Sequence, residues 1–250
     1  MNDELIASQQ KLTETANKLE MINQEKDKFF SIIAHDLRSP FGALLNISEM
    51  IKELLKEKDY EQVIQLGDAL VVSAQKTYDL LINLMSWARM QTGTLEWVPE
   101  TVRLRDIVSE VIELHEESSV TKSITVDIQI NSRTCIKADR NMISTVLRNL
   151  VSNAIKFTRT GGSIHITDTI EGNMVTVTIS DTGIGMDQNM VSKLFRLSEQ
   201  IGRKGTAGEP STGIGLLLVK EFVEKNGGTI HVTSEVGKGT HFSFTVPSAI

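Results

Sequence analysis

Residues 29–56 read FFSIIAHDLRSPFGALLNISEMIKELLK, a stretch with one proline and one glycine and with apolar residues at helical spacing. Five of these apolar residues fall within about 60° of one another on a helical wheel of ~100° per residue. They are Phe30, Ile33, Leu37, Leu44 and Ile51. A helix with one apolar face must bury it against another element. The stretch therefore predicts a long amphipathic helix, whose packing partner decides the fold.

The segment before this stretch continues the helical pattern toward the N-terminus. The residues with a seven-residue spacing are Leu5, Leu12 and Leu19, followed in a shifted phase by Ile22 and Phe29. A seven-residue apolar repeat forms the seam of a coiled coil. We therefore predict a coiled-coil signalling helix over residues 1–24, and a single amphipathic helix is the alternative.

A second amphipathic pattern follows a charged break at residues 56–59. Its apolar residues are Val63, Leu66, Leu70, Ala74, Leu81, Leu84 and Ala88. The pattern ends near Met90, and Gly93 is suited to a helix C-cap. Two long helices with a short turn between them predict an antiparallel helical hairpin over residues 25–93. Because one hairpin buries only one face of each helix, we expect a homodimer in which two hairpins form a four-helix bundle.

The composition changes from about Val98 onward, where glycine becomes frequent and strand-like alternation appears. Strands are predicted at 123–128, 163–166, 173–179, 228–232 and 241–246. Helices are predicted at about 103–117, 140–157, 187–195 and 213–226. This mixed order predicts an α+β fold, an α/β sandwich with helices on one face of a mixed sheet, over residues 100–250 after a linker at 94–99.

Charge and composition exclude several classes of protein. The chain has 250 residues and a net charge of −6, which gives no basic face for nucleic acid. Cys135 is the only cysteine, which excludes an internal disulfide and a multi-cysteine metal site. No apolar run approaches the ~18 residues that span a bilayer, and no signal peptide begins the chain. We expect a cytoplasmic segment without membrane contact, which can be the cytoplasmic part of a membrane receptor.

His35 is the first candidate site residue. The apolar stripe of its helix lies almost opposite, so we expect the imidazole to face solvent. Asp36 could accept the Nδ1 proton and leave Nε2 as a nucleophile. Pro40 is predicted to bend the helix beside His35, and Ser39 could hold a water one turn away. An idle surface histidine and an ordinary surface serine are the alternatives.

A second candidate set lies in the predicted helix 140–157. Asn149, Asn153 and Lys156 occur at i, i+4 and i+7 and therefore share one face. Amide oxygens suit Mg²⁺, which proteins hold with few side chains together with substrate phosphates, and a lysine suits phosphate. A polar face turned to water is the alternative.

Two glycine-bearing segments complete the candidate pocket. Residues 181–186, DTGIGM, follow a predicted strand, so that the Asp181 carboxylate could accept a hydrogen bond from an exocyclic amine such as that of adenine. A long polar stretch at 202–210 has the length of a functional lid. It leads to Gly213 and Gly215, which place free amides at a helix N-terminus where phosphate binds well. The sequence contains neither a P-loop nor the motif set of protein kinases.

In this order and spacing, these segments resemble the catalytic core of two-component sensor histidine kinases over about residues 22–250. The phosphoacceptor box is similar to residues 29–40 and the asparagine box to 149–158. The two glycine boxes are similar to 181–186 and 211–216, and the end of the sheet to 237–240. The phenylalanine box is matched only in part, by 194–197, and Ser39 stands where the family usually has threonine or asparagine, the residue linked to phosphatase activity.

The resemblance implies an ATP domain with the fold of gyrase, MutL and heat-shock chaperone ATPases. It implies autophosphorylation of His35 from ATP with Mg²⁺, and transfer to an aspartate of a response-regulator receiver domain. In this reading Asp36 is the base, Asn153 ligates Mg²⁺ and Asp181 binds adenine. The other nucleotide-binding residues that it implies are Asn149, Lys156, Phe157, Gly183, Gly185, Thr212, Gly213, Gly215 and Leu216.

Three other functions are compatible with parts of the pattern. An ATPase of the same superfamily that works as a conformational machine would leave His35 idle, which the H-D-x-x-S-P setting disfavours. A scaffold with a degenerate pocket is disfavoured by the intact Asn153, Asp181 and glycine pairs. A serine/threonine kinase with this ATP fold is a third alternative.

Overall fold

The computed structural model describes residues 2–195, 204–209 and 214–249. Within the first two helices it leaves out the side chains of many residues, among them His35, Asp36 and Ser39. The chain divides into two compact units, Met1–Met85 and Ser86–Ile250, which we describe separately. Over the described residues, no helix combines the length and the hydropathy that crossing a membrane requires.

The first unit consists of α1, Asn2–Glu57, and most of α2, Tyr60–Gln91. The first of the two predicted helices, continuous from the N-terminal heptads through the 29–56 stretch, is confirmed, and it continues through Pro40. The charged break is a turn in which Lys58 has a positive φ of 60°. The amide of Asp59 donates to Leu54 O over 3.0 Å, and its Oδ1 accepts from the amide of Gln62 over 3.1 Å. Asp59 therefore closes the last turn of α1 with its amide and caps the first turn of α2 with its side chain.

The end of α2 has the predicted glycine cap. Gly93 has a φ of 68° and donates its amide to Met90 O over 3.0 Å. The amide of Thr94 donates to Arg89 O over 2.9 Å. These two bonds form the Schellman pattern, in which the residue of left-handed conformation is usually glycine.

The second unit contains two sheets and five helices among its described residues. Its elements are β1 Glu100–Arg103, α3 Leu104–Leu114, α4 Glu116–Thr121, β2 Thr125–Gln129, β3 Cys135–Ala138, α5 Arg140–Phe157, β4 Ser163–Glu171, β5 Met174–Asp181, α6 Gln188–Val191, α7 Ile214–Lys225, β6 Ile230–Glu235 and β7 Gly239–Pro247. The main sheet has the order β2-β4-β5-β7-β6, and β1 pairs with β3 in a small antiparallel sheet. Only the β2–β4 pair of the main sheet is parallel.

The core of this unit lies between the main sheet and three helices. Alternate sheet residues such as Ile166, Val177 and Phe244 are fully buried. Residues between them, such as Thr178, are polar and only half-buried. Helices α5 and α7 contact the sheet, and α3 packs on α5. The predicted arrangement, with helices on one face of a mixed sheet, is therefore confirmed.

Three local predictions differ from the structure. The helix predicted at 103–117 is two helices, because His115 leaves the helical conformation with φ −107° and ψ 8°. The helix predicted at 187–195 is the single turn Gln188–Val191, after which Leu194 donates to Val191 O in a tighter turn. The strands β1 and β3 were not predicted, since four residues are too few to show a period of two.

Candidate functional site

Asp181 lies at the end of β5 and is a buried residue, 7% exposed. Its Oδ1 accepts the amides of Gly183 over 2.8 Å and of Thr240 over 3.3 Å. Burial raises the pKa of the Asp181 carboxyl above its ordinary value, although these two amides and nearby His241 act to lower it. Within the described part of the chain, Oδ2 accepts no hydrogen bond. The fold therefore holds a buried carboxylate with one oxygen open to a donor.

Glycine is required beside Asp181 because the backbone comes close to other segments there. A Cβ on Gly183 would clash with the carbonyl oxygen of Phe157, at the end of α5. Gly185 has a φ of 61°, and a Cβ there would clash with the carbonyl oxygen of Glu235. The amide of Ile184 also donates to Phe157 O over 3.1 Å. The loop 181–186 is thus fixed between α5 and the β6–β7 hairpin.

The β6–β7 hairpin supports this loop through Ser234, which sequence reasoning missed. The Ser234 hydroxyl accepts the amide of Met186 and donates to Gly239 O, both over 2.9 Å. A Cβ on Gly239 would clash with the carbonyl oxygen of Asp181. Nothing in the strand pattern singles out Ser234, because its role depends on contact with a segment 48 residues away.

The three candidate residues of α5, Asn149, Asn153 and Lys156, are all half-buried. The amide group of Asn149 donates to Thr145 O over 2.9 Å, and a Cβ on Gly215 would clash with Asn149 Oδ1. The side chain of Asn153 makes no hydrogen bond to the described residues. Gly215 therefore lets the first turn of α7 approach the Asn149 face of α5.

The end of α5 joins the two parts of the site. Lys156 Nζ lies 5.2 Å from the centre of the Phe157 ring, a distance suited to a cation–π interaction. The Phe157 carbonyl binds the loop after Asp181. Because the Phe157 carbonyl holds this loop, the end of α5 that carries Asn153 and Lys156 lies against the carboxylate loop.

Some predicted site residues lie outside what the structure describes. These are the side chains of His35, Asp36 and Ser39, and the residues Thr212 and Gly213. Leu216 is described, half-buried in the first turn of α7.

A separate cavity of about 560 Å³ lies at the opposite end of α5. Arg89, Glu96, Asp139 and Arg140 are among its lining residues. None of the predicted nucleotide-binding residues lines it. The cavity is therefore distinct from the site around Asp181.

Comparison with known proteins agrees with this geometry. The family model of histidine kinase-, DNA gyrase B- and HSP90-like ATPases matches residues 138–250. The non-motile and phage-resistance protein of Caulobacter vibrioides is 28% identical over 252 residues, which cover 96% of this chain and 30% of that protein. The sensor-like histidine kinase SenX3 of Mycobacterium tuberculosis is 29% identical over 227 residues, covering 89% of this chain and 54% of that protein. The chain thus spans only part of the length of these relatives.

Solved structures share the fold. The Acinetobacter baumannii histidine kinase AdeS superposes with a TM-score of 0.67 at 20% identity, covering 86% of this chain and 98% of that chain. Histidine kinase ThkA, in complex with the response regulator protein TrrA, superposes with a TM-score of 0.63 at 21% identity, covering 93% of this chain and 66% of that chain. The match of residues 138–250 to the ATPase family model, together with the similarity to curated histidine kinases along nearly the whole chain, supports the catalytic core of a sensor histidine kinase.

Proposed function

We propose that this chain binds ATP in the pocket around Asp181 and transfers the γ-phosphoryl group to His35. The observation that carries the proposal is the buried Asp181 carboxylate, whose Oδ2 accepts nothing from the described residues. An adenine amine is a donor that fits such an oxygen, and the glycines beside it leave room for a base. The match of residues 138–250 to an ATPase family supports the same nucleotide.

The α5 face suits Mg²⁺ as the accompanying ion. The Asn153 side chain offers an uncharged oxygen without a hydrogen-bond partner among the described residues, on a half-buried surface. Mg²⁺ favours such ligands together with phosphate oxygens and water. When bound, the ion would offset negative charge on the triphosphate. Asn149 and Lys156 lie on the same face of α5 and would orient the phosphates.

The chemical step that we propose takes place at the His35 imidazole. Nε2 forms a bond to the γ-phosphorus while the bond from phosphorus to the bridging oxygen breaks, and ADP leaves. Asp36 would hold the Nδ1 proton and keep the Nε2 lone pair available. Ala34 and Arg38, which flank these two residues on α1, are exposed. Their exposure supports our proposal that the His35 imidazole is accessible. The role of Ser39, whose hydroxyl would hold a water near the imidazole, stays a prediction.

We propose a homodimer through the first unit. Many large apolar side chains of α1 and α2 are exposed in the single chain. They include Phe41, Leu45, Met50, Ile64, Val71, Val72, Leu81 and Met85. Monomeric proteins rarely leave an extended apolar surface in water, so a second copy would cover it.

We further propose that phospho-His35 passes its phosphoryl group to an aspartate of a response-regulator receiver domain. Histidine kinase ThkA, which shares the fold, forms a complex with the response regulator TrrA. A cytoplasmic location remains a prediction of the sequence.

Labelling with γ-labelled ATP and Mg²⁺ tests the proposal. We expect label that is lost in acid and kept in alkali, because a phosphoramidate bond is acid-labile. His35→Gln should abolish it, while His231→Gln, a matched change of an exposed histidine on β6, should not. Asn153→Ala should reduce labelling at least tenfold, since even the residues that orient metal ligands typically contribute this much.

Two results would contradict the assignment. Label that persists in His35→Gln would refute the assignment of His35 as the phosphorylated residue. Hydrolysis of ATP by the wild-type protein without any phosphohistidine would instead favour the conformational ATPase.

A further inference from the structure

Lys122 is a nearly buried cation that belongs to none of the motifs above. Its side chain is only 12% exposed. It follows α4, and its main chain is held by the amide of Gly161, which donates to Lys122 O over 3.0 Å. Ser123 has a φ of 51°, and the amide of Ile124 donates to Ser119 O over 2.8 Å. This Schellman turn directs the lysine toward the end of α5.

The Lys122 ammonium group binds the end of α5. Nζ donates to Ile155 O and Lys156 O, each over 3.0 Å. These two carbonyls belong to the last turn of the helix, where no further helical amides remain to bond them. A cation at this position also interacts favourably with the helix dipole.

The same ammonium group binds a segment of the polar lid, residues 204–209, which we call the central lid segment. Nζ donates to Thr206 Oγ1 over 2.8 Å and pairs with Glu209 Oε1 over 2.7 Å. The pairing lowers the pKa of the Glu209 carboxyl, although burial opposes it. One lysine therefore joins the end of α5 to the central lid segment.

The central lid segment is a closed turn that fits this attachment. The amide of Gly205 donates to Glu209 O over 2.8 Å, and Glu209 Oε2 accepts the amide of Ala207 over 2.8 Å. Thr206 binds α5 a second time, since its amide donates to Lys156 O over 3.0 Å and its hydroxyl to Thr158 O over 2.8 Å. A Cβ on Gly205 would clash with Glu209 and Lys156.

We propose that Lys122 and Glu209 are positioning residues of the nucleotide site, which hold the central lid segment against the end of α5 that carries Asn153 and Lys156. This inference rests on the proposed function. Because the attachment is made entirely by groups of the chain itself, ATP would not have to order this part of the lid when it binds. The two residues act through α5 and the lid, and neither is assigned a contact with ATP.

Binding of Mg·ATP to the 250-residue chain tests the proposal. We expect Glu209→Ala to weaken binding about tenfold, the effect of losing one charge-assisted hydrogen bond. The α5 carbonyls remain bonded to Lys122 in this variant, so the protein without nucleotide should keep its unfolding midpoint. Amide exchange at residues 204–209 should accelerate. Lys122→Met should weaken binding at least as much, and Lys122→Arg should restore part of it.

A double variant and a matched control sharpen the result. The double variant Lys122→Met with Glu209→Ala should bind Mg·ATP about as weakly as Lys122→Met alone. The ion pair that Glu209→Ala removes is already lost when Lys122 is replaced. Lys137→Met, a change at an exposed lysine on β3, should bind like the wild type. Wild-type affinity in Glu209→Ala, or a loss of affinity that only follows a lower unfolding midpoint, would overturn the proposal. If the wild type itself failed to bind Mg·ATP, the proposed function would fail instead.

Discussion

At the residue scale, Asp181 combines a cost in stability with the role in nucleotide binding that we propose for it. Its carboxylate is buried, and burial raises its pKa against the opposing amides of Gly183 and Thr240. In an Asp181→Asn variant, the side-chain carbonyl oxygen could still accept both amides, but the side chain would carry no charge. We expect this variant to bind Mg·ATP about ten to a hundredfold more weakly, since a buried charged hydrogen bond is lost. Calorimetric titration would measure the change.

The same variant should be at least as stable to heat as the wild type near neutral pH. A carboxyl with a raised pKa in the folded state binds its proton more tightly there than in the unfolded chain. Stability then falls as pH rises from the unfolded pKa through the folded one. The advantage of Asp181→Asn should therefore shrink in acid, and unfolding midpoints across this range would show it. A variant that is less stable than the wild type at neutral pH would contradict the account.

At the element scale, Asn226 connects three segments of the second unit. It is 1% exposed, and its Oδ1 accepts the amide of Asp139 over 2.8 Å and Trp97 Nε1 over 3.1 Å. Its amide group donates to Phe222 O over 2.8 Å. Asn226 therefore ties the end of α7 to the start of α5 and to the segment at 94–99, which the sequence predicts as a linker.

Removing this side chain should weaken the second unit. Asn226→Ala leaves the buried Asp139 amide without its acceptor, which costs about 1–3 kcal/mol. Urea unfolding of the 250-residue chain would measure the loss. Asn189→Ala, at an exposed position in α6, is the matched control and should stay within about 0.5 kcal/mol of the wild type. Equal stability of the two variants would show that the Asn226 contacts contribute little.

At the scale of the whole molecule, the exposed apolar residues of the first unit predict that two copies associate. Leu81 lies on the apolar stripe of α2 and is 43% exposed in the single chain. A glutamate there would place a charge in the proposed four-helix bundle, where charged groups are costly to bury. We expect Leu81→Glu to sediment as a monomer at concentrations where the wild type is a dimer.

Nucleotide binding should survive this change. Leu81 belongs to the first unit and the Asp181 pocket to the second. Gln65→Glu adds the same charge at an exposed polar position of α2 and should remain dimeric. A monomeric wild type, or a dimer of Leu81→Glu, would contradict the proposed bundle.

Much of the architecture follows from local pattern. The long apolar periodicities of α1 and α2, the cap at Gly93 and the helix α5 were all predicted with nearly correct ends. The helical periodicities repeat over many residues, and the cap depends on one glycine with a left-handed conformation. Both can therefore be predicted from residues that are close together in the sequence. The sequence also placed Asp181 and its glycines at a strand end, since strand alternation is itself local.

What the tertiary structure alone decided are the contacts between distant segments. Lys122 meets Thr206 and Glu209 across more than 80 residues, and Ser234 meets the loop after Asp181 across 48. The short strands β1 and β3 exist because they pair with each other rather than because of their own pattern. Such contacts depend on which surfaces the packed sheet and helices bring together. The spacing of side chains along the chain shows which of them share a face of one element, but not which distant segment that face will contact.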